Sequence, residues 1–381
     1  MNREFVRQMP FDPDHFERRR GLTGRLRLDP WLFLLLVAVL GFGLIVLYSA
    51  SEKSMATVEA QMLRIGVGLV AMLFFAQLDP LLYRRWSPWL YLVGTLALVG
   101  VMLLGVDVSG ARRWLEIPGV TRFQPSEFMK LGVPLMVAWF LSKQQLPPRM
   151  LPIVATVALI LVPAGLIADQ PDLGTALLVC LSGLFVLFLA GLSWKLIGTM
   201  GLAAALSAPA IWLYGLRDYQ KERITTLFNP GSDPLGAGWN ITQSKTAIGS
   251  GGMHGKGWGE STQANLDFLP ESHTDFIVAV LAEEFGFVGV TVLLVLYTLI
   301  VIRGLVIASA AQSSFSRFLA GSITLTFFVY VIVNVAMVCG LIPVVGVPLP
   351  LISFGGTSIV TLMLGFGILM AIHTHRRMLE S

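Results

Sequence analysis

The chain has 381 residues, 55% of them hydrophobic and only 13% charged, with a formal net charge of +4. A soluble domain is nearer a quarter charged, so this composition excludes an ordinary soluble domain, and no nucleic-acid partner is expected. The apolar residues gather into repeated runs, each about long enough to cross ~30 Å of hydrocarbon.

Residues 1–30 read as a charged cytoplasmic segment. The apolar run from Trp31 to Tyr48 is too long for the core of a cleavable signal peptide and reads as the first membrane helix. Spans are expected near 31–50, 61–78, 86–105, 126–142, 150–168, 173–191, 195–215, 276–302, 317–340 and 353–373. They make a single all-α, ten-helix polytopic membrane domain over 31–373, with a cytoplasmic tail at 374–381. Ten is even, so both termini share one side. With the N-terminus inside, the inner segments hold sixteen of the 27 lysines and arginines, among them Arg18, Arg19, Arg20, Arg84, Arg85, Arg303, Arg376 and Arg377. That bias places both termini in the cytoplasm. Cys180 and Cys339 lie far apart inside apolar runs and read as small buried residues rather than a disulfide. No internal repeat is evident, so a repeat-built transporter gains no support.

Two loops on the outer side, 106–125 and 216–275, are long for a compact bundle, and such loops are usually functional or disordered. Phe228, Trp239, Trp258 and Phe268 argue that the second is packed. A shared outward site follows. Within the first loop, GARRW (Gly110 to Trp114) sets two arginines and a tryptophan against the positive-inside bias. Arginine forks suit phosphate oxygens, whereas snorkelling to lipid headgroups beside an interfacial tryptophan is the plainer reading. QPSEFMK opens the fourth helix, with Glu127 and Lys130 three apart on one face, as an ion pair fixing the helix or as part of a site. In DQPDLGT, Asp172 either caps the sixth helix or faces the outer cavity.

AIGSGGMHGKGWGES (Ala247 to Ser261) lacks the GxxxxGK[ST] pattern and a preceding strand, so nucleotide binding is not expected. Its glycines permit a backbone turn near substrate, with Lys256 near anionic groups. FLPESHTDFI (Phe268 to Ile277) places Glu271, His273 and Asp275 at the mouth of the eighth helix. Asp275 either caps that helix or is a functional carboxylate, which partial desolvation would make more basic. Glu283 and Glu284 lie two turns deeper and need partners or protons. The proline- and glycine-broken stretch CGLIPVVGVPLPLISFGGTS, Cys339 to Ser358, reads as irregular backbone against a wet cavity, a wall of the same site.

Taken in order, GARRW, FQPSEFMK, QPDLGT, AIGSGG, FLPESHTDFI, AEEFG and GVPLPLISFGG resemble the SEDS family of bacterial cell-wall proteins, with FQPSEFMK and FLPESHTDF leaning to its elongation branch rather than its division branch. The resemblance implies ten membrane helices in the bacterial inner membrane. It also implies a glycosyltransferase, active on the outer face, that polymerises lipid II into glycan for cell elongation and rod shape. The implied partners are a class B penicillin-binding protein, undecaprenyl-linked lipids and the elongation machinery. Carried over, Asp275 matches the essential loop aspartate, Glu127 and Lys130 the sensitive pair, Arg112, Arg113 and Trp114 the arginine–tryptophan motif, and Asp172 the acidic turn. Asp275 is then the base on the acceptor hydroxyl. Arg112, Arg113, Lys130 or a divalent cation, Mg2+ or Mn2+, can hold the pyrophosphate, with no nucleotide needed. A lipid II flippase and a non-enzymatic activator of the penicillin-binding protein are the competing readings.

Overall fold

The computed structural model describes residues 27–108, 111–116, 122–233, 236–265, 268–269 and 271–377. The expected N-terminal segment up to residue 26 and the last four residues of the tail lie outside them. Helices α1 (Pro30–Ala50), α2 (Met55–Gln77) and α3 (Pro80–Leu104) open the chain. Asp29 and Asp79 cap α1 and α3 ahead of a first-turn proline, the position where the missing N–H costs nothing. Ser54 caps α2. These caps start α2 and α3 some six residues before the apolar runs from which their spans were expected.

A short antiparallel ribbon follows, β1 (Val106–Val108), β2 (Ala111–Glu116) and β3 (Arg122–Phe123), in the order β1-β2-β3. The fold is mostly helical, as expected, and this ribbon is the first long loop pairing with itself, Val106 opposite Trp114 and Leu115 opposite Phe123. Then come α4 (Pro125–Leu141), α5 (Met150–Asp169), α6 (Leu173–Leu189) and α7 (Trp194–Ala210), which ends in a π-helical turn at Ile211–Gly215. The second long loop contains α8 (Asp218–Phe228), α9 (Ala237–Gly251) and the single turn α10 (Thr262–Asn265). The chain closes with α11 (Ile277–Ser309), α12 (Ser314–Val338) and α13 (Thr357–Arg377).

Among the described residues, eight helices are long and apolar enough to cross a membrane. Two more, α4 and α6, have 17 residues each. The expected start of the last span at 353 is corrected to Thr357, because Pro350, Gly355 and Gly356 hold the preceding backbone in turns. That helix runs to Arg377, so residues 374–377 of the expected tail are helical.

Helix α12 is the hub, packed on α4, α6 and α11, while α13 lies along α2 and α1 along α11. α7 is the exception: none of its described residues is buried. Polar residues gather at the two ends of the bundle. At one end, fully buried Asp29 bonds Arg303 at 2.7 Å beside His373 at 3.9 Å, joining the start of α1 to the ends of α11 and α13. The opposite end holds the starts of α4, α6, α11 and α13 and carries the site.

α11 is broken. Gly286 has φ +64° and ψ −162°, outside the helical region. The glycine-rich segment after α9 is spliced into the break. Lys256 N–H donates to Glu283 O (2.9 Å) and Gly257 N–H to Glu284 O (3.1 Å). Phe287 and Val288 N–H donate to the carbonyls of Gly252 (2.9 Å) and Met253 (3.1 Å). Irregular backbone at membrane depth is tolerated when protein satisfies its polar groups in this way. The glycines are required for contact: a Cβ on Gly251 would lie 2.0 Å from Ala282 O, and one on Gly255 2.0 Å from Glu284 O.

Candidate active site

Asp275 sits two residues before α11, yet it does not cap it: the N-cap position is Phe276, with no side-chain cap. The loop from Glu271 is a compact turn, in which Thr274 and Phe276 N–H both donate to Glu271 O at 3.2 Å. Thr274 Oγ1 also bonds the Glu271 carboxylate. Ser272 Oγ ties the turn to Ala50 O, at the end of α1, at 3.1 Å.

The segment between α12 and α13 forms the wall over this turn. Val344 O accepts from Arg223 Nη1 of α8 at 3.1 Å. Val345 O faces Gly174, where a Cβ would stand 2.8 Å away. Gly346, with φ +72°, turns the chain beneath the Asp275 carboxylate: a Cβ there would be 3.6 Å from Oδ2. Asn334 of α12 donates from Nδ2 to both Asp275 O (2.9 Å) and Val347 O (2.7 Å), clamping turn to wall. Tyr297 supports Pro350 O at 2.6 Å. Ser353 Oγ bonds Thr274 O at 2.5 Å, and Phe354 N–H donates to His273 O at 2.9 Å. The His273 ring stands edge-on to Phe354 at 5.9 Å.

Held this way, the Asp275 carboxylate is half-buried and has no hydrogen-bond or ion-pair partner among the described residues. Burial pushes its pKa up to about 6 from 3.8; Glu271 raises it further and Arg223 opposes the rise. A carboxylate with that value, held free of partners just before a helix, suits proton abstraction near neutral pH.

A second chain of polar contacts runs beside it. Asp172 does cap α6, accepting from Thr175 N–H at 3.2 Å, and its other oxygen accepts from Gln124 Nε2 at 3.1 Å. Gln124 also bonds Ser126 Oγ at 3.0 Å. One turn on, Lys130 and Glu127 form a buried ion pair at 2.6 Å. Lys130 donates to Tyr330 Oη at 3.1 Å, and Tyr330 is bonded to Ser358 at 3.1 Å. Tyr330 and Asn334 are four apart on α12 and share its face, so one helix face carries both the Lys130 network and the Asp275 clamp.

Four expected site residues are placed elsewhere. Arg113 spends its guanidinium on the carbonyls of Gln170 (3.2 Å) and Pro171, locking the turn before α6. Trp114 is half-buried in β2, while Arg112 on the same strand is exposed. Lys256 lies at the α11 splice, bonded at 2.6 Å to fully buried Glu283, which also accepts from Ser261 Oγ (2.6 Å), Thr262 Oγ1 (2.6 Å) and Thr262 N–H (3.0 Å). Glu284 is held by Ser49 Oγ. Both deep acids therefore have partners, and Lys256 balances one of them. Arg64, Arg223, Asn334 and Ser353 were not read as site residues. An arginine or asparagine inside an apolar helix was the signal available for Arg64 and Asn334. The described residues contain no cluster of three His, Cys, Asp or Glu side chains able to hold a metal ion.

The fold and the site together define a polytopic helical membrane protein with a solitary, weakly acidic carboxylate at one end of the bundle. The family model of the FtsW, RodA and SpoVE cell cycle proteins matches residues 30–378, and the chain belongs to that family. The SEDS resemblance is thereby borne out. Among its relatives, the peptidoglycan glycosyltransferase MrdB of Escherichia coli (strain K12) is 52% identical over 362 residues, covering 95% of this chain and 98% of the relative. Stage V sporulation protein E of Bacillus subtilis (strain 168) is 35% identical over 368 residues, covering 92% and 98%. A solved chain from a peptidoglycan synthase complex superposes with a TM-score of 0.80 at 32% identity, covering 92% of this chain and 98% of that one. The rod shape determining protein RodA of Thermus thermophilus gives 0.70 at 29% identity, covering 92% and 97%.

Proposed function

We infer that the chain is a peptidoglycan glycosyltransferase that polymerises lipid II, with Asp275 as its base. The observation that carries this is the Asp275 carboxylate itself: neither a helix cap nor an ion pair, and clamped by Asn334 at its own carbonyl. The acceptor's sugar hydroxyl loses its proton to Asp275 as its oxygen bonds the donor's anomeric carbon. The bond from that carbon to the phosphate oxygen breaks, and undecaprenyl pyrophosphate leaves with the electron pair. An α-linked donor giving a β-1,4 product means inversion, so one displacement suffices. Burial makes Asp275 more basic, Glu271 and Arg223 trim that effect in opposite directions, and Lys130, fixed by Glu127 and Tyr330, contributes positive charge for the departing anion.

Ten membrane spans fit this reading, with α4 and α6 as the two short ones, both termini cytoplasmic and the Asp275 end outward. A class B penicillin-binding protein fits as partner, since the strands made must be crosslinked. A Mg2+ or Mn2+ ion bound with the pyrophosphate is part of the proposal. Asp275 and Glu271 offer two carboxylates, which do not by themselves make a resident metal site, so no step above passes through the ion. The test is polymerisation of purified lipid II by the wild type and Asp275→Asn, each with the penicillin-binding protein carrying an inactivated transpeptidase serine. Glycan from the wild type alone, at equal complex formation, supports the assignment. Glycan from both moves the base elsewhere, and glycan from neither favours a flippase or scaffold.

A further inference from the structure

Beside His273 lie three features that the scheme above leaves unused. The first is Arg64, an arginine in the apolar helix α2. Its guanidinium carbon lies 4.1 Å from the centre of the Phe354 ring. Its Nη1 is buried and has no hydrogen-bond partner among the described residues. One turn away, fully buried Gln61 donates from Nε2 to Ser353 O at 3.1 Å and so fixes the backbone that Arg64 overlies. An unpaired guanidinium donor at that depth is costly and calls for an acceptor.

The second feature is the pair Gly355–Gly356. A Cβ on Gly355 would come no nearer than 3.9 Å to its surroundings, and one on Gly356 would lie 3.8 Å from Arg64 Nε. Neither glycine has the positive φ that Gly286 and Gly346 need. Neither crowding nor backbone conformation asks for glycine here. What the pair does is leave the main chain bare beside the guanidinium, where an anion can approach it.

The third feature is the start of α13 at Thr357. The first N–H groups of a helix lack intrahelical acceptors, and the helix dipole is positive there. Lys130 reaches this helix start through Tyr330 and Ser358. One helix N-terminus is thus linked to one cationic side chain and lies beside a second, on the wall that carries the Asp275 turn.

We propose that Arg64, Gly355, Gly356 and the first turn of α13 form a subsite for the pyrophosphate of a lipid-linked sugar substrate. This rests on the glycosyltransferase reading and adds to it a residue and a place for the charged group. The chemistry recognised is a lipid-borne phosphate anion, which a membrane phospholipid headgroup also offers. A pyrophosphate carries the greater charge of the two.

The test uses the full chain with its proposed penicillin-binding partner in nanodiscs, as wild type, Arg64→Gln, Arg64→Lys and Gly356→Ala. Lipid II polymerisation gives kcat and KM. Competition by undecaprenyl pyrophosphate, by uncharged undecaprenol and by phosphatidylglycerol gives specificity. Loss of one charge-assisted contact should weaken competition by undecaprenyl pyrophosphate about ten- to hundredfold in Arg64→Gln. KM should rise with it more than kcat falls, Arg64→Lys should recover part, and undecaprenol should be unaffected. Gly356→Ala adds a methyl without strain, so it keeps the question open if Arg64→Gln does not fold; it should raise KM at unchanged thermal stability. Wild-type KM in both Arg64→Gln and Gly356→Ala would overturn the subsite. Equal competition by phosphatidylglycerol and undecaprenyl pyrophosphate would overturn its assignment to the substrate. A wild type that makes no glycan, yet binds undecaprenyl pyrophosphate through Arg64, would instead sink the glycosyltransferase reading and leave the subsite standing.

Discussion

Replacing Gly286 by alanine should unfasten α11. At φ +64° and ψ −162°, a side chain costs about 1–3 kcal/mol in backbone strain alone. The added Cβ would also lie 2.4 Å from Gly255 N and 2.6 Å from Met253 O. Those are backbone atoms and cannot turn aside, so the spliced segment must retreat. Losing two of its four backbone hydrogen bonds to α11 costs about 0.5–1.5 kcal/mol each. The total is about 2–6 kcal/mol, enough to loosen the first half of the helix that follows Asp275. Thermal unfolding in one detergent, with limited proteolysis across 251–261, measures it. Gly249→Ala is the control, since it lies in α9 with nothing within 4 Å of an added Cβ. Gly286→Ala should melt earlier, open that segment to protease and polymerise slowly with Asp275 intact. If Gly286→Ala melts with the control, the splice does not hold α11.

The pH profile tests the base. With the Asp275 pKa pushed up to about 6, kcat/KM should fall tenfold per pH unit below that value and level off above it. Glu271→Gln should move this limb to lower pH and Arg223→Gln to higher pH; shifts of the opposite sign would refute the electrostatics. Because the folded value exceeds the free side chain's 3.8, this contribution to stability is lost as pH rises through about 6. Asp275→Asn should therefore be no less stable than wild type at pH 8. Lys130→Met should cost about 3–5 kcal/mol in unfolding measurements by leaving Glu127 buried and unpaired, and Glu127→Gln in the same chain should restore part of it. Asn334→Ala should cost about 1–3 kcal/mol and lower kcat more than it raises KM. Lys256→Met should reduce thermal stability while leaving KM for lipid II unchanged, which a substrate-binding lysine would not do.

The helices were legible because each apolar run is long and continuous, and the Asp275 turn because a carboxylate at a helix mouth is costly enough to be noticed. Helix starts were misjudged where caps and prolines act before the apolar pattern begins, as at Ser54 and Asp79. Lys256 and Arg113 were assigned to substrate because a cation in an outer loop looks available. Their true partners, Glu283 and the carbonyls of Gln170 and Pro171, lie 27 and about 57 residues away. Asn334 and Arg64 were missed for the same reason: what each serves is brought to it only by the fold. The glycines of 251–259 were correctly read as backbone devices, but the surface they approach is a broken helix rather than a ligand.

One consequence follows from α7. Since none of its described residues is buried, the hydrocarbon around it does what a neighbouring helix does for α12. Helices in lipid gain no hydrophobic drive towards each other, so the apolar surface of α7 does not by itself pull it onto the bundle. Lipid here is a component of the architecture as much as its surroundings. Exchanging the bilayer for a micelle changes one wall of the molecule, and the segment carrying Arg223 follows that wall in the chain.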